Sequence, residues 1–365
     1  MWDDAVQLQG RHTKRKWNGV RMLLVLAVAL GAMGYGGEHP ECIREFLRKW
    51  NTPPYEEVWV SLTQEGKTMA VVEGTIFCAE AGSLEQYNGK GQERQQWTTA
   101  LTEPLMLSAE DAGAVYTPGE SEIWLLGKDG AVRRELSAGI DLAAVGPAGT
   151  LAVVTAGSGY LTETVLYAAD GEASRRLGLV DQAMVMMTIP RRDVLVSCCV
   201  DGAGHWSLRQ DTLETSRCLA LEDQMVYDLR TCGDSVLLWT DWGFRMLDRE
   251  GREIGAYQIA PEAVAAWDAD DMAALIVQRF GRYWLITMDG RGQITQSVWR
   301  GGLPKRLLVC GNRACTLDSG ALLVYDNAGG LLKRTPEGAT AWDILPAADG
   351  LLLRSRDAVR YYSLP

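Results

Sequence analysis

Short apolar strands, each followed by a turn glycine, recur along the chain after residue 54. An apolar residue ends a strand, Asp, Asn or Glu usually follows, and glycine stands four positions after the apolar residue. Glycine supplies the positive φ of tight hairpin turns, and Asp or Asn bonds back to the turn backbone. The seven copies are 87–91, 126–130, 167–171, 208–212, 247–251, 288–292 and 325–329, with Thr212 replacing glycine in the fourth.

The spacing of these hairpins predicts the fold. Successive turn positions are 39, 41, 41, 39, 41 and 37 residues apart, and two further short strands separate them, as in 263–267 with 274–278 and 306–310 with 314–317. A four-stranded unit of about 40 residues is the period of a propeller blade. A β-sandwich gives no reason for one period to repeat seven times. We therefore predict an all-β propeller.

The two ends of the repeat region predict how the ring closes. An eighth third strand, 359–362, ends the chain without an outer partner, and the apolar segment 56–62 precedes the first blade. Pairing these segments completes a blade and removes open edges. The prediction is an eight-bladed β-propeller over residues 55–365, with seven blades as the alternative if the first is misread.

An uncharged run of 16 residues, 22–37, precedes the repeats. A membrane span needs about 20 residues, so this is a short candidate that Arg21 extends by snorkelling. The basic residues of 1–21 come before it, which predicts a cytoplasmic N-terminus and an extracytoplasmic propeller. A signal peptide cleaved near Ala32 is the alternative.

A second helical segment is predicted between the run and the repeats, within 38–54. Apolar residues follow one another at i, i+3, i+4 and i+7, and two prolines end the pattern. The stripe is formed by Ile43, Phe46, Leu47 and Trp50. It either packs on its own chain, lies on the bilayer or meets a partner.

The charge is divided unevenly. Residues 1–21 hold five basic and two acidic side chains, a net of +3, and the remainder holds 31 basic and 45 acidic, a net of −14. Such an acidic surface repels phosphate backbones, so we expect no nucleic-acid partner.

The hairpin of residues 87–91, which leads to Trp97, resembles the quinoprotein-like (PQQ-type) propeller repeats of outer-membrane assembly scaffolds and quinoprotein dehydrogenases. Most blades lack a tryptophan soon after the turn glycine, which that family's repeats carry. The layout of basic leader, short anchor and degenerate propeller also resembles uncharacterised membrane-anchored propeller proteins of Firmicutes. These resemblances imply a fold and a location, without an activity.

Few residues are suited to catalysis. The three histidines are His12, His39 and His205, and only His205 lies in the repeats. A Ser-His-Asp or Cys-His arrangement depends on that one loop residue, and no zinc-binding spacing occurs. We expect no cofactor and no enzymatic activity.

Two pairs of cysteines are candidates for a disulfide or for redox chemistry. Cys310 and Cys315 flank a short turn and are a candidate disulfide, whereas the main interpretation of the cysteines is that they are buried free thiols. Cys198 and Cys199 are adjacent. Adjacent-Cys disulfides stack on the cofactor of the quinoprotein dehydrogenases that the repeats resemble, but strand neighbours point to opposite faces.

Three Asp residues follow an aromatic residue in predicted innermost strands: Asp228, Asp268 and Asp343. If they lie at equal depth, they form a ring of carboxylates at one channel mouth that attracts a cation or a basic partner. Under that hypothesis the aromatic residues wedge between blades. The alternative is that each Asp caps its own turn.

The sequence thus predicts a membrane-anchored scaffold that binds an envelope or membrane protein. A small-ligand sensor is the first alternative. A quinone-cofactor oxidoreductase or a carboxylate-based glycan-active enzyme is a further alternative.

Overall fold

Thirty-two strands and two single-turn 3₁₀ helices make up the described part of the chain. The computed structural model describes residues 59–60 and 67–364, apart from 90, 110, 157–158, 169–171, 193, 213, 222–223, 300–302, 319–320, 337–339, 348–349 and 356–358. The chain divides into Met1–Tyr55 and Glu56–Pro365, and all described residues belong to the second unit. The predicted tail 1–21, anchor 22–37 and helix 38–54 lie outside them. No helix among the described residues has the length and apolar character of a membrane span.

The strands form eight antiparallel four-stranded sheets. Blade 1 consists of β2 (Thr68–Val72), β3 (Thr75–Glu80), β4 (Ser83–Tyr87) and β5 (Glu93–Thr98), and blade 2 of β6 (Leu105–Ser108), β7 (Gly113–Tyr116), β8 (Glu122–Gly127) and β9 (Gly130–Glu135). Blade 3 consists of β10 (Ile140–Val145), β11 (Leu151–Thr155), β12 (Thr162–Tyr167) and β13 (Ala173–Leu179), and blade 4 of β14 (Gln182–Arg191), β15 (Val194–Asp201), β16 (Trp206–Thr212) and β17 (Ser216–Ala220).

Blade 5 consists of β18 (Val226–Cys232), β19 (Ser235–Thr240), β20 (Gly243–Leu247) and β21 (Glu253–Gln258), and blade 6 of β22 (Val264–Ala269), β23 (Met272–Arg279), β24 (Arg282–Asp289) and β25 (Ile294–Val298). Blade 7 consists of β26 (Arg306–Cys310), β27 (Arg313–Leu317), β28 (Leu322–Tyr325) and β29 (Leu331–Thr335), and blade 8 of β30 (Ala341–Ala347), β31 (Gly350–Ser355), β32 (Val359–Ser363) and β1 (Trp59–Val60). The 3₁₀ helices are Pro147–Gly149 and Pro261–Ala263.

The first strands of successive blades contact one another around the ring, including blade 8 with blade 1. They are therefore the inner strands, and the eight-bladed propeller is confirmed. We call the face on which the inner strands begin the upper face. It carries the turn between the second and third strands of each blade and the connections from one blade to the next. The lower face carries the other turns.

Blades are held together by apolar side chains that fill the space between neighbouring sheets. Second strands are apolar almost throughout, as in β23, where residues 272–277 are all buried, because both faces of a middle strand meet other blades. Between blades 4 and 5, for example, Val196 and Leu208 belong to one buried cluster with Val236 and Leu247.

The ring closes between the two ends of the described chain. Trp59 pairs with Arg360 and Val60 with Val359, so the outer strand of blade 8 comes from within the segment 56–62. At the same seam the Arg354 guanidinium donates to the Lys67 carbonyl at 2.8 Å. The Lys67 ammonium lies 2.7 Å from Glu85, which keeps this buried charge paired.

Asp residues hold three of the repeated hairpins in the predicted way. The Asp248 carboxylate accepts the N–H groups of Glu250 and Arg252, both at 2.9 Å, and Asp289 and Asp326 do the same in their blades. The interpretation of 208–212 as the fourth copy was wrong. Those residues lie inside β16, and the turn comes later, held by the Thr212 hydroxyl, which accepts the Thr215 N–H at 2.9 Å.

Candidate functional site

The three predicted carboxylates do not lie at equal depth. Asp228 and Asp343 each follow a residue that bulges out of the inner strand, whereas the bulge in blade 6 falls at Ala265, three residues before Asp268. Asp268 is therefore two positions further along its strand. Its level matches that of Arg230, not that of the other two carboxylates.

Two of the three predicted carboxylates, Asp268 and Asp343, are buried, and each is paired with an arginine of the preceding blade. Asp268 accepts from Arg230 and takes the Val309 N–H of the next blade at 2.7 Å. Burial raises the pKa of Asp268, and the Arg230 charge opposes that rise. Asp343 accepts from Arg306 Nε at 2.9 Å and lies 3.6 Å from the Arg354 guanidinium.

These contacts revise the two interpretations of the set. The carboxylates are neither turn caps nor an open ring of like charges. Arginines of the preceding blade compensate Asp268 and Asp343, and Asp228 lies 3.3 Å from the Arg230 Nε of its own strand. Among the described residues no group of three or more His, Cys, Asp or Glu is arranged to hold a metal ion. Two of the aromatic partners also differ from expectation: Tyr227 and Trp342 are 40% and 44% exposed instead of wedged between blades. Trp267 is half-buried against an interblade cluster, as expected.

The cysteines are free thiols throughout the described chain. In the β26–β27 register Cys310 lies opposite Arg313 and Cys315 opposite Leu308, so the candidate disulfide between Cys310 and Cys315 is not formed. Cys198 and Cys199 belong to different interblade clusters, because strand neighbours point to opposite faces.

Exposed apolar side chains mark the upper face of the propeller. Apart from six on outermost strands, every exposed large apolar residue in the described chain lies on the upper face or near the upper end of an inner strand, and none lies in a lower-face turn. Isolated exposed apolar residues are ordinary, but a one-sided set indicates a contact surface. The set is Leu105, Tyr160, Leu161, Val180, Val185, Met225, Tyr227, Trp242, Phe280, Leu303 and Trp342.

Bulges in the inner strands add to this surface. In five blades one extra residue interrupts the pairing of first and second strands near the upper end, and in each case the extra residue is exposed. Bulges re-aim side chains at the rims of β-structures. The bulged residues are Asp141, Val185, Tyr227, Ala265 and Trp342. The sequence pattern includes Tyr227 and Trp342 but predicts that they pack in the interior.

An open polar cleft of about 390 Å³ lies at the border of blades 4 and 5. Arg245 lies in its wall, with its Nε 2.6 Å from Glu253 and its Nη1 3.1 Å from Gln224 Oε1. Trp242 lines the same cleft and is 39% exposed. The cleft offers hydrogen-bonding groups beside an aromatic ring.

Comparison with known structures supports the fold alone. The chain matches no family model and no curated protein. It is similar to BamB from Moraxella catarrhalis, at 12% identity with 85% of this chain and 100% of that one covered and a TM-score of 0.53. Apo AztD from Citrobacter koseri is similar at 12% identity, 74% and 86% coverage and a TM-score of 0.52. Sqt1 from Saccharomyces cerevisiae is similar at 9% identity, 84% and 98% coverage and a TM-score of 0.53. At these identities the likeness identifies a β-propeller.

Proposed function

We propose that the protein is a non-enzymatic scaffold that binds a partner protein on its upper face. The observation that carries the proposal is the one-sided distribution of exposed apolar side chains. Large apolar groups in water contribute nothing to stability, and their burial against a partner supplies the main favourable term in association. The lower-face turns, by contrast, use their Asp side chains for their own hydrogen bonds.

The proposed location is the outer surface of a cell membrane, and the proposed partner is an envelope or membrane protein. Support comes from the net charge of +3 in residues 1–21 followed by the uncharged run 22–37. Strand β1 runs from the lower to the upper face, antiparallel to β32.

The test compares two matched sets of five exposed apolar residues, each set replaced by threonine. The upper set is Leu105, Leu161, Val185, Met225 and Leu303, and the control set on outer strands is Val132, Leu219, Ile254, Ile294 and Leu331. Cross-linking in native membranes followed by capture of the full chain should recover the partner with wild type and the control set. Recovery should fall at least tenfold with the upper set, and an equal fall with both sets contradicts the proposal.

A second candidate function is small-ligand binding, which the polar cleft beside Trp242 favours. Aromatic faces and fixed polar groups together bind polar small molecules. Screening sugars and amino acids for a rise in the thermal midpoint, with Trp242→Ala as the comparison, tests it. An absorbance spectrum of the purified chain tests the quinone-enzyme alternative.

A further inference from the structure

Phe280 stands at the tip of the hairpin between β23 and β24. Arg279 pairs with Arg282, so the turn consists of Phe280 and Gly281 alone. Their φ angles are 51° and 72°, both in the left-handed region. A two-residue turn with positive φ at both positions is type I′, which favours Asn-Gly.

Phenylalanine is an unfavourable choice for this position. The left-handed conformation brings Cβ too close to the backbone of any L-residue with a bulky side chain. No packing against the described residues offsets that cost, because Phe280 is 99% exposed, whereas Phe77 and Phe244 are fully buried. The described part of the propeller therefore gains nothing from this side chain.

The surroundings of Phe280 differ in charge from the rest of the upper face. Arg282 is exposed two residues along the chain from Phe280, and the connection that leaves blade 6 on the same face carries Leu303, which is 66% exposed, and the exposed Lys305. The Trp299 N–H donates to the Tyr283 carbonyl at 3.1 Å, which sets the start of that connection beside the hairpin. Exposed carboxylates of the upper face lie mostly in other blades and connections, at Glu103, Asp141, Asp181, Asp241 and Glu262.

We propose that Phe280 is the anchor of the partner contact and inserts into an apolar pocket whose rim carries carboxylates. Arg282 and Lys305 pair with that rim, and Leu303 extends the apolar contact. This inference rests on the proposed function and names the chemistry of its partner. Buried aromatic anchors surrounded by polar pairs dominate binding energy in many interfaces.

A protein surface fits this patch better than a bilayer does. A flat anionic membrane that meets Phe280 also meets the carboxylates of the other blades on the same face, which it repels. A protein partner can confine its contact to the sector of blades 6 and 7.

The first experiment places the photoreactive p-benzoylphenylalanine at position 280 of the full chain in its own cells. The control places it at Val132, an exposed apolar residue of an outer strand. Irradiation should give a protein adduct from position 280 and none from 132. The cross-linked partner peptide, read by mass spectrometry, should be apolar and flanked by Asp or Glu. Arg282→Glu with Lys305→Glu should lower the adduct yield at least tenfold. Adducts with lipid alone, identical adducts from both positions, or a yield indifferent to charge reversal overturn the proposal.

The second experiment uses Phe280→Asn, which installs the residue that a type I′ turn favours. The thermal midpoint should rise by about 2 °C while partner recovery falls at least tenfold. A lower midpoint means that Phe280 is structural and overturns the inference. If Phe280→Asn recovers the partner normally while the upper-face threonine set does not, the inference fails and the proposed function stands.

Discussion

Arg230 on the inner strand of blade 5 forms an ion pair with Asp268 on the inner strand of blade 6. The other oxygen of Asp268 accepts the Val309 N–H of blade 7 at 2.7 Å, so one carboxylate joins three blades. Arg230 also lies over the Trp267 ring, with its guanidinium carbon 4.4 Å from the ring centre. The Asp268 carboxylate, a candidate binding group in the sequence, therefore belongs to the packing of the ring.

Replacing Arg230 by Met should lower the free energy of unfolding by about 2 kcal/mol at pH 7, because Asp268 is left buried without its cation. The pKa of Asp268, already raised by burial, should rise further. Since the folded protein then holds a proton more tightly than the unfolded chain, the deficit should shrink as the pH falls through that raised pKa. Urea unfolding between pH 4 and 8 measures it. Asp268→Asn added to Arg230→Met should recover part of the loss, and additive losses would mean that the pair is not coupled.

Removing residues 56–62 should lower the thermal midpoint by several degrees or cause aggregation. The deletion takes away β1 and opens the edge of β32 in blade 8. A deletion of 2–8 gives a control of equal length. If the first variant melts like the second, strand β1 does not hold the ring.

Glu122 gives a prediction with a pH dependence. Its buried carboxylate accepts from Trp124 Nε1 and Arg133 Nε, both at 2.7 Å, and from the Ala100 N–H at 3.0 Å. Burial alone would raise its pKa, but these donors outweigh burial and lower the pKa below 4.5.

Its stabilisation is therefore present above the unfolded value and lost as the pH falls through the lowered folded pKa. Glu122→Gln should cost about 1–2 kcal/mol at pH 7 and progressively less below pH 4.5. Denaturant titrations of both proteins at several pH values measure the difference. A deficit that stays constant down to pH 3 would contradict the assignment of the charge.

Thiol reactivity should single out Cys218 among the described cysteines. Cys218 is exposed, whereas burial raises the pKa of Cys78, Cys198 and Cys232 to about 12 and that of Cys310 to about 11. Thiolates are the reactive form, so at pH 8 an aromatic disulfide reagent should label Cys218 rapidly and the rest only after unfolding. A Cys42→Ser background removes the cysteine outside the described residues. Rapid labelling that survives Cys218→Ser would contradict the prediction.

Much of the fold could be predicted because the hairpin chemistry is local. Asp248 and its equivalents bond to backbone groups two and four residues on, and such a contact leaves a pattern in the sequence. The fourth copy was misplaced because β16 extends to Thr212, so its turn comes later than the spacing predicts. There the Thr212 hydroxyl accepts the turn N–H that an Asp carboxylate accepts in other blades.

The candidate site was harder to predict because it depends on bulges and on comparison between blades. Nothing in the local sequence shows that Asp228 follows a bulge and Asp268 does not. Phe280 did carry a signal: a Phe-Gly pair between two strands occupies positions where Asn-Gly is favoured. Recognising it required the exact turn, which the spacing of the repeats does not define.

The pairing of Trp59 with Arg360 joins residues about 300 positions apart. During synthesis the first strand of the propeller therefore emerges before all others and finds its partner after all others. Blades 1 to 7 can each form from residues that are near neighbours in the chain, whereas closure of blade 8 requires a contact that spans the whole domain, and contacts of large sequence separation form slowly. Ring closure should thus be the final and slowest folding step. In any chain truncated near its C-terminus, strand β1 has no strand with which to pair.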